Sequence, residues 1–319
     1  MTRHLVLGGC GFIGRHLALA LARRGDPVVV ADIMPPPPEL GEAGIEYRAV
    51  EPGEPAWEPL IDGCEVIHHY AWTTVPATAN DDPLGDLDAN LRNTVRLLET
   101  LRREGGRRLL FSSSGGTVYG RLTQTPVPET HAFAPITAYG ASKAAAEIYM
   151  GFYHGCHGLD CRVARISNPF GAGQDPRRKQ GAASAFLFQT LAGEEITIWG
   201  DGSVVRDYIH IADLVEGLLA VADAPVPTAA AAAMPVYNIG SGVGVSLNGI
   251  VDVLRSRLHL DPTVTYLPGR PFDVPVSVLD ISRAAVELNW RPRLSFADGC
   301  ARMLADLRRG QTSFSTLLD

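Results

Sequence analysis

Short apolar runs alternate with longer stretches of mixed character through the first half of the chain. Leu5-Val6-Leu7, Val28-Val29-Val30, a run inside Glu65 to Ala71, Leu109-Leu110-Phe111 and Arg162 to Ile166 predict buried strands. Phe12 to Arg24, Leu84 to Arg103 and Ala138 to Tyr153 predict helices; in the second, Leu87, Leu91, Val95 and Leu98 recur on one side. Strands alternating with helices of this length predict an α/β protein with a doubly wound parallel sheet covered on both faces. After residue 167 the elements shorten and Gly and Pro increase, which predicts a smaller, mostly C-terminal lobe. The expected division is 1–167, with segments around 205–240 returning to it, and a ligand-binding lobe of 168–204 and 241–319. Pro35 to Pro38 predicts an exposed extended loop, and Ala222 to Pro235 a connector leading into a strand at Val236 to Ile239.

Composition narrows the partners. Of 319 residues, 46% are hydrophobic and 20% charged, as in ordinary globular chains. The 28 basic and 35 acidic residues give a net charge of −7, which argues against a nucleic-acid partner while leaving room for a few arginines in one pocket. The five cysteines, Cys10, Cys64, Cys156, Cys161 and Cys300, are scattered and form no CxxC pair, so neither a metal site nor a disulfide framework is expected. No apolar run approaches the ~20 residues of a membrane span. The apolar run at the N-terminus is too short for a leader, and a cytoplasmic location is expected.

The first strand runs into Gly8-Gly9-Cys10-Gly11-Phe12-Ile13-Gly14, which opens a helix. Such a turn brings backbone close to a pyrophosphate and aims free N–H groups at it, as in a Rossmann unit. Asp32 ends the second strand, where a carboxylate reaches both hydroxyls of an adenosine ribose; a strand-end or capping role is the alternative. A carboxylate there repels a 2′-phosphate, and no arginine follows in Ile33-Met34-Pro35, so NAD is favoured over NADP.

Tyr139 and Lys143 stand four residues apart on one helix face. A tyrosine of pKa ~10 is a poor base at neutral pH, and a neighbouring ammonium favours its phenolate. The chain contains only two lysines, Lys143 and Lys179, against 26 arginines, so a lysine here points to a need for a compact ammonium. Upstream, Phe111 to Gly120 places Ser112, Ser113 and Ser114 at the end of a strand, where hydroxyls face the crevice that binds ligands in α/β sheets. Ser114 is the candidate to hydrogen-bond a reacting oxygen of the ligand; turn-forming is the alternative for any one serine.

Taken in order, Gly8 to Gly14, Ser112 to Gly120, Tyr139 to Lys143, Arg165 to Pro169, Arg206 to His210 and Arg270 to Pro275 resemble the NAD-dependent sugar-nucleotide epimerases/dehydratases, UDP-hexose 4-epimerases above all. The resemblance covers nearly the whole chain. It implies that Gly8, Gly11, Phe12, Ile13 and Gly14 hold NAD together with Asp32. Ala71, Asn90, Ser112 and Ile166 are implied to join them, with Tyr139 and Lys143 at the nicotinamide end; for Asn90, capping or packing is an equal alternative. It further implies that Ser114 and Tyr139 act at the sugar O4, that Asn168, Arg206 and Arg270 line a UDP site, that Asp273 lies near the uridine ribose, and that Tyr208 lies near the diphosphate. For Arg206 a surface ion pair with Asp207 is the alternative. A homodimer is also implied.

The chain departs from the family pattern in places. The fourth strand usually ends His-x-Ala-Ala, but here reads His69-Tyr70-Ala71-Trp72-Thr73-Thr74, and Val50-Glu51-Pro52 replaces the usual Gly-Asp after the third. Ser277 stands where some relatives carry a bulky tyrosine that restricts the sugar pocket; the small residue would admit an N-acetyl group or another substituent. Related 4,6-dehydratases need an acid and a base after the hydroxyl residue, and UDP-glucuronate decarboxylases a glutamate nearby; here stand Gly115 and Gly116. The expected activity is therefore 4-epimerisation of a UDP-sugar: glucose/galactose, N-acetylhexosamine or glucuronate. A dehydratase, decarboxylase or keto-sugar reductase, or a non-catalytic NAD-binding regulator, is the alternative.

Overall fold

The computed structural model describes residues 1–175, 181–225, 233–269 and 274–310. Among the described residues thirteen strands form in chain order: β1 (His4–Leu7), β2 (Val28–Asp32), β3 (Glu46–Ala49), β4 (Val66–His69), β5 (Arg108–Ser114), β6 (Asp160–Ile166), β7 (Asn168–Phe170), β8 (Ile196–Trp199), β9 (Val205–His210), β10 (Val236–Ile239), β11 (Gly244–Ser246), β12 (Val264–Leu267) and β13 (Val276–Ser277). Seven make one parallel sheet in the order β10-β6-β5-β4-β1-β2-β3. Each residue of β1 and β4 is buried, as strands covered on both faces require. From β1 the chain winds outward to β2 and β3, then crosses back to β4 and winds the other way. The order therefore reverses between β1 and β4, which is where such sheets open a ligand crevice.

The chain divides into two compact units: Met1–Arg121 with Ala132–Arg165 and Leu218–Tyr237, and Leu122–His131 with Ile166–Gly217 and Asn238–Asp319. This division differs from the expected one. β9 was expected to return to the large sheet, yet its partners are β7, β11 and β13. It is Leu218–Tyr237 that belongs with the first unit. Within that unit the buried Arg162 of β6 donates to the carbonyls of Val221 at 2.8 Å and Ala222 at 3.3 Å, while its Nε meets Asp160 at 3.0 Å.

Two local expectations are corrected. Pro38 starts a short helix, Pro38–Glu42, so only the residues before it are extended; proline suits a first helical position, whose N–H needs no partner. The segment expected as one α-helix from Leu84 to Arg103 contains a π-helical turn at Leu87–Arg92 before the α-helix Asn93–Glu104. The inserted residue rotates the face: Thr94, Leu97, Leu98 and Leu101 are buried, whereas Leu87 is 43% exposed. The connector expected over 222–235 lies partly outside the described residues, between the helix Ile211–Asp223 and β10. Among the described residues no helix is long and apolar enough to cross a membrane.

Candidate active site

At the end of β1, Gly8 has φ 77°, and a Cβ there would stand 2.6 Å from the Ala71 nitrogen. The strand ends of β1 and β4 thus touch backbone to backbone at the crevice. Gly14, inside the helix Phe12–Arg24, faces the same turn: its Cβ would lie 2.3 Å from the Gly8 carbonyl oxygen. Gly11 caps that helix without a side-chain bond, and no acidic residue occupies the first turn. Its amides, between the half-buried Phe12 and Ile13, remain available to an anion. Asp32 closes the arrangement. One carboxylate oxygen accepts from Cys10 N and the other from Met34 N, both at 2.9 Å. Each oxygen keeps a further lone pair for a ribose hydroxyl. Burial, followed by the Asp32 charge, pushes the Cys10 thiol up to about 12, so it is an inert neighbour here.

Beyond Ala71 the chain is held by Asn90. Its side-chain oxygen accepts from Thr73 N at 2.9 Å, and its amide donates to Thr74 Oγ1 at 3.1 Å and Asp86 Oδ1 at 2.9 Å. The buried Asp86 also accepts from the hydroxyls of Thr74 and Ser142. Asn90 therefore organises the loop after β4, where capping or packing had been an equal reading.

Thr137 caps the helix Ala138–His157 through Gly140 N at 3.1 Å and sets Tyr139 in its first turn. One turn on, Lys143 is buried and its Nζ donates to the Ser112 carbonyl at 2.7 Å. The Ser112 hydroxyl donates to the His69 carbonyl at 3.2 Å, tying β5 to β4. The Lys143 nitrogen lies 3.8 Å from the Trp72 ring centre, 4.6 Å from Phe111 and 5.7 Å from the ring of Tyr139. Burial raises the Tyr139 phenol above its ordinary pKa, and the Asp86 charge adds to this. Burial likewise brings Lys143 well below the lysine range, against the charges of Glu147 and Asp86. Ser114, half-buried at the end of β5, turns the chain by accepting Thr117 N and Val118 N on its carbonyl, each at 3.1 Å. A Cβ at Gly116 would meet nothing within 4 Å, so packing does not dictate glycine where a carboxylate would serve elimination.

In the second unit, β9 aligns four of the remaining candidates. Asn168 of β7 pairs with Tyr208, and Ser277 of β13 with Arg206. The Asn168 amide donates to the Asp207 carbonyl at 2.9 Å, and Arg206 donates to the carbonyls of Val205 at 2.9 Å and Val274 at 2.6 Å. The Asp207 carboxylate is occupied instead by Ser241 N and Oγ, both at 2.7 Å, and by Gly242 N at 3.1 Å. Tyr208 is buried in this unit's core against Phe296, at 5.4 Å between ring centres, and burial pushes its phenol up to about 12. Ser277 and Ile166, the last residue of β6, are buried as well. Arg270 and Asp273 lie outside the described residues. Trp72, Asp86, Thr73 and Thr74 are the neighbours that sequence reasoning did not assign. Trp72 was visible only as a departure in the strand ending, and Asp86 as one of several acids in a run.

Comparison with known proteins gives the family. The UDP-glucose 4-epimerase of Mycolicibacterium smegmatis is 31% identical over 320 residues, covering 96% of this chain and 98% of the relative. The dTDP-4-dehydro-6-deoxyglucose reductase of Escherichia coli is 30% identical over 313 residues, covering 95% and 97%. The crystal structure of UDP-glucose 4-epimerase from Thermotoga maritima with UDP-glucose superposes with a TM-score of 0.88 at 31% identity, covering 97% and 100%. The family model that matches runs over residues 4–240, from the first residue of β1 to the end of β10. A glycine cradle that side chains would fill, the Asp32 carboxylate beside it and a Tyr/Lys pair at the same crevice fit the family's cofactor, and the chain belongs to the NAD dependent epimerase/dehydratase family.

Proposed function

We propose that the protein is an NAD-dependent 4-epimerase acting on a UDP-sugar. The observation that carries this reading is Gly115-Gly116 beside an intact Ser114, Tyr139 and Lys143. The site has the groups for moving a proton at O4, and in this segment it has no carboxylate for elimination or decarboxylation. The Gly8–Gly14 turn would hold the pyrophosphate, Asp32 the adenosine ribose, and Lys143 the nicotinamide ribose. The chemistry that NAD supplies when bound is a hydride acceptor and donor at the sugar C4.

The chain's own residues do the rest. Tyr139 Oη takes the proton of the 4-hydroxyl and later returns it, while the Ser114 hydroxyl holds O4 in line. Lys143 favours the phenolate electrostatically, which offsets the effect of burial on Tyr139. Once the 4-keto sugar has turned over in its pocket, return of the proton from Tyr139 Oη to O4 would complete the epimerisation. Asn168, Arg206, Arg270 and Asp273 are assigned to the UDP moiety, with Tyr208 near the diphosphate and Ser277 bearing on the space around the sugar.

A cytoplasmic homodimer is part of the same reading. Ile148, Tyr149 and Phe152 are 62%, 44% and 49% exposed along one helix, an apolar strip suited to a second copy. The similar identity of the reductase relative favours a keto-sugar reductase as the second reading.

The test is incubation of the purified enzyme, without added reductant, with UDP-glucose, UDP-GlcNAc and UDP-glucuronate separately, read by NMR. One of them is expected to give its C4 epimer with no net NADH. Tyr139→Phe is expected to keep its NAD and lose about three orders of magnitude in kcat. A 4-keto product, released CO2, or turnover only of a keto-sugar with added NADH would replace the epimerase reading.

A further inference from the structure

Trp72 stands at the position where the strand ending departs from its family's pattern, and its ring is the nearest aromatic face to the Lys143 ammonium, at 3.8 Å. The indole is fixed from several sides. It tilts against Phe111 at 5.7 Å and His69 at 6.4 Å, and meets Tyr139 edge-on at 6.3 Å and 77°. Its Nε1–H is buried and has no hydrogen-bond partner among the described residues. An unpartnered indole N–H carries a desolvation cost that a phenyl ring would avoid, so hydrogen bonding does not account for a tryptophan here. What the indole offers above other rings is the strongest π face for a cation.

Lys143 needs such a face. Among the described residues its three N–H donors find one acceptor, the Ser112 carbonyl. The charged and titratable groups around it are His69 from β4, Asp86 from the segment before the π-helical turn, and Tyr139 and Glu147 from its own helix. His69 is driven down to about 3, by burial and then by the Lys143 charge, and so stays neutral; Asp86 and Glu147 favour the ammonium. Glu147 is shared, since it is also ion-paired with Arg165 at 2.8 Å.

We propose that Trp72 is a positioning residue that stabilises the Lys143 ammonium through its π face and holds it beside Tyr139. Trp72 thereby acts on the proton transfer without touching the substrate's reacting atoms. The consequence for rate rests on the 4-epimerase reading; the consequence for Lys143 itself does not.

Two lysines in the chain make the test direct. Cofactor-loaded enzyme is labelled with 13C-lysine, Lys179→Arg assigns the remaining signal to Lys143, and the side chain is titrated in parent, Trp72→Phe and Trp72→Leu proteins. Trp72→Leu is expected to lower the Lys143 midpoint by about one pH unit, and Trp72→Phe by less than half of that. If the UDP-sugar reading holds, the alkaline-going limb of kcat assigned to Tyr139 moves upward in the same order. In Trp72→Leu kcat at fixed pH then falls about tenfold, with KM within about twofold. A Lys143 midpoint unmoved in either folded variant overturns the proposal, and Trp72→Phe serves alone if Trp72→Leu does not fold. A shifted midpoint with no activity on any sugar nucleotide leaves Trp72 in its role and removes the epimerase reading instead.

Discussion

Two glycines of the site answer differently to a methyl group. At Gly14 the added Cβ would stand 2.3 Å from the Gly8 carbonyl oxygen, which itself accepts Gly11 N at 3.1 Å, so the whole turn must shift. Gly14→Ala is expected to cost about 1–3 kcal/mol and to release most of the bound NAD, measured as a lowered Tm and a reduced cofactor content after purification. At Gly116 the space is open, and Gly116→Ala is expected to stay within about 0.5 kcal/mol of the parent with turnover within about twofold. A large loss there would mean that the segment needs a bare backbone against the sugar. Residues of this kind are legible in the sequence when their chemistry is local. The Tyr139/Lys143 spacing lies within one helix, and Asp32 follows the glycine turn within one strand-helix-strand stretch, so both readings rest on a short run of chain. Trp72 and Asp86 do not. What they do depends on where the loop after β4 travels, and that is set by Asn90 gripping Thr73 across 17 positions of chain.

The same contrast holds for elements. The helices Phe12–Arg24 and Ala138–His157 could be read because their ends are marked: Gly25, left-handed at φ 88°, closes the first, and Thr137 opens the second. The π-helical turn at Leu87–Arg92 was not legible, since the side-chain bonds of Asp86 and Asn90 to the neighbouring loop accompany it and no local propensity announces it. The helix Ala138–His157 has two faces with separate work. One buries Ser142, Lys143, Ala146, Glu147 and Met150, and the other presents Ile148, Tyr149 and Phe152. The homodimer proposal predicts that Ile148→Asp with Phe152→Glu weakens self-association by at least about a hundredfold. Light scattering across a dilution series would measure it. Equal association of parent and variant would move the interface elsewhere.

At the scale of the whole molecule, the alternation of strand and helix led to the doubly wound sheet, and the order reversal between β1 and β4 places the glycine turn and Ala71 side by side. The allocation of β9 could not be read the same way. Val205–His210 looks like any other half-apolar strand, and its partners β7, β11 and β13 are too short to announce a second sheet. The large sheet is also built out of chain order, because its edge strand β10 arrives about seventy residues after its neighbour β6. This has a consequence for the nascent protein. Until residues 218–239 have left the ribosome, β6 offers an unpaired apolar edge, and Arg162 lacks the carbonyls of Val221 and Ala222 that surround its charge. A fragment ending at Arg165 is therefore expected to bind hydrophobic dyes and aggregate, whereas a cooperative melt from a soluble monomer would show the first six strands to be self-sufficient. Synthesis of this chain thus passes through a vulnerable interval, from the emergence of Ile166 to that of Ile239, in which a chaperone has the most to protect.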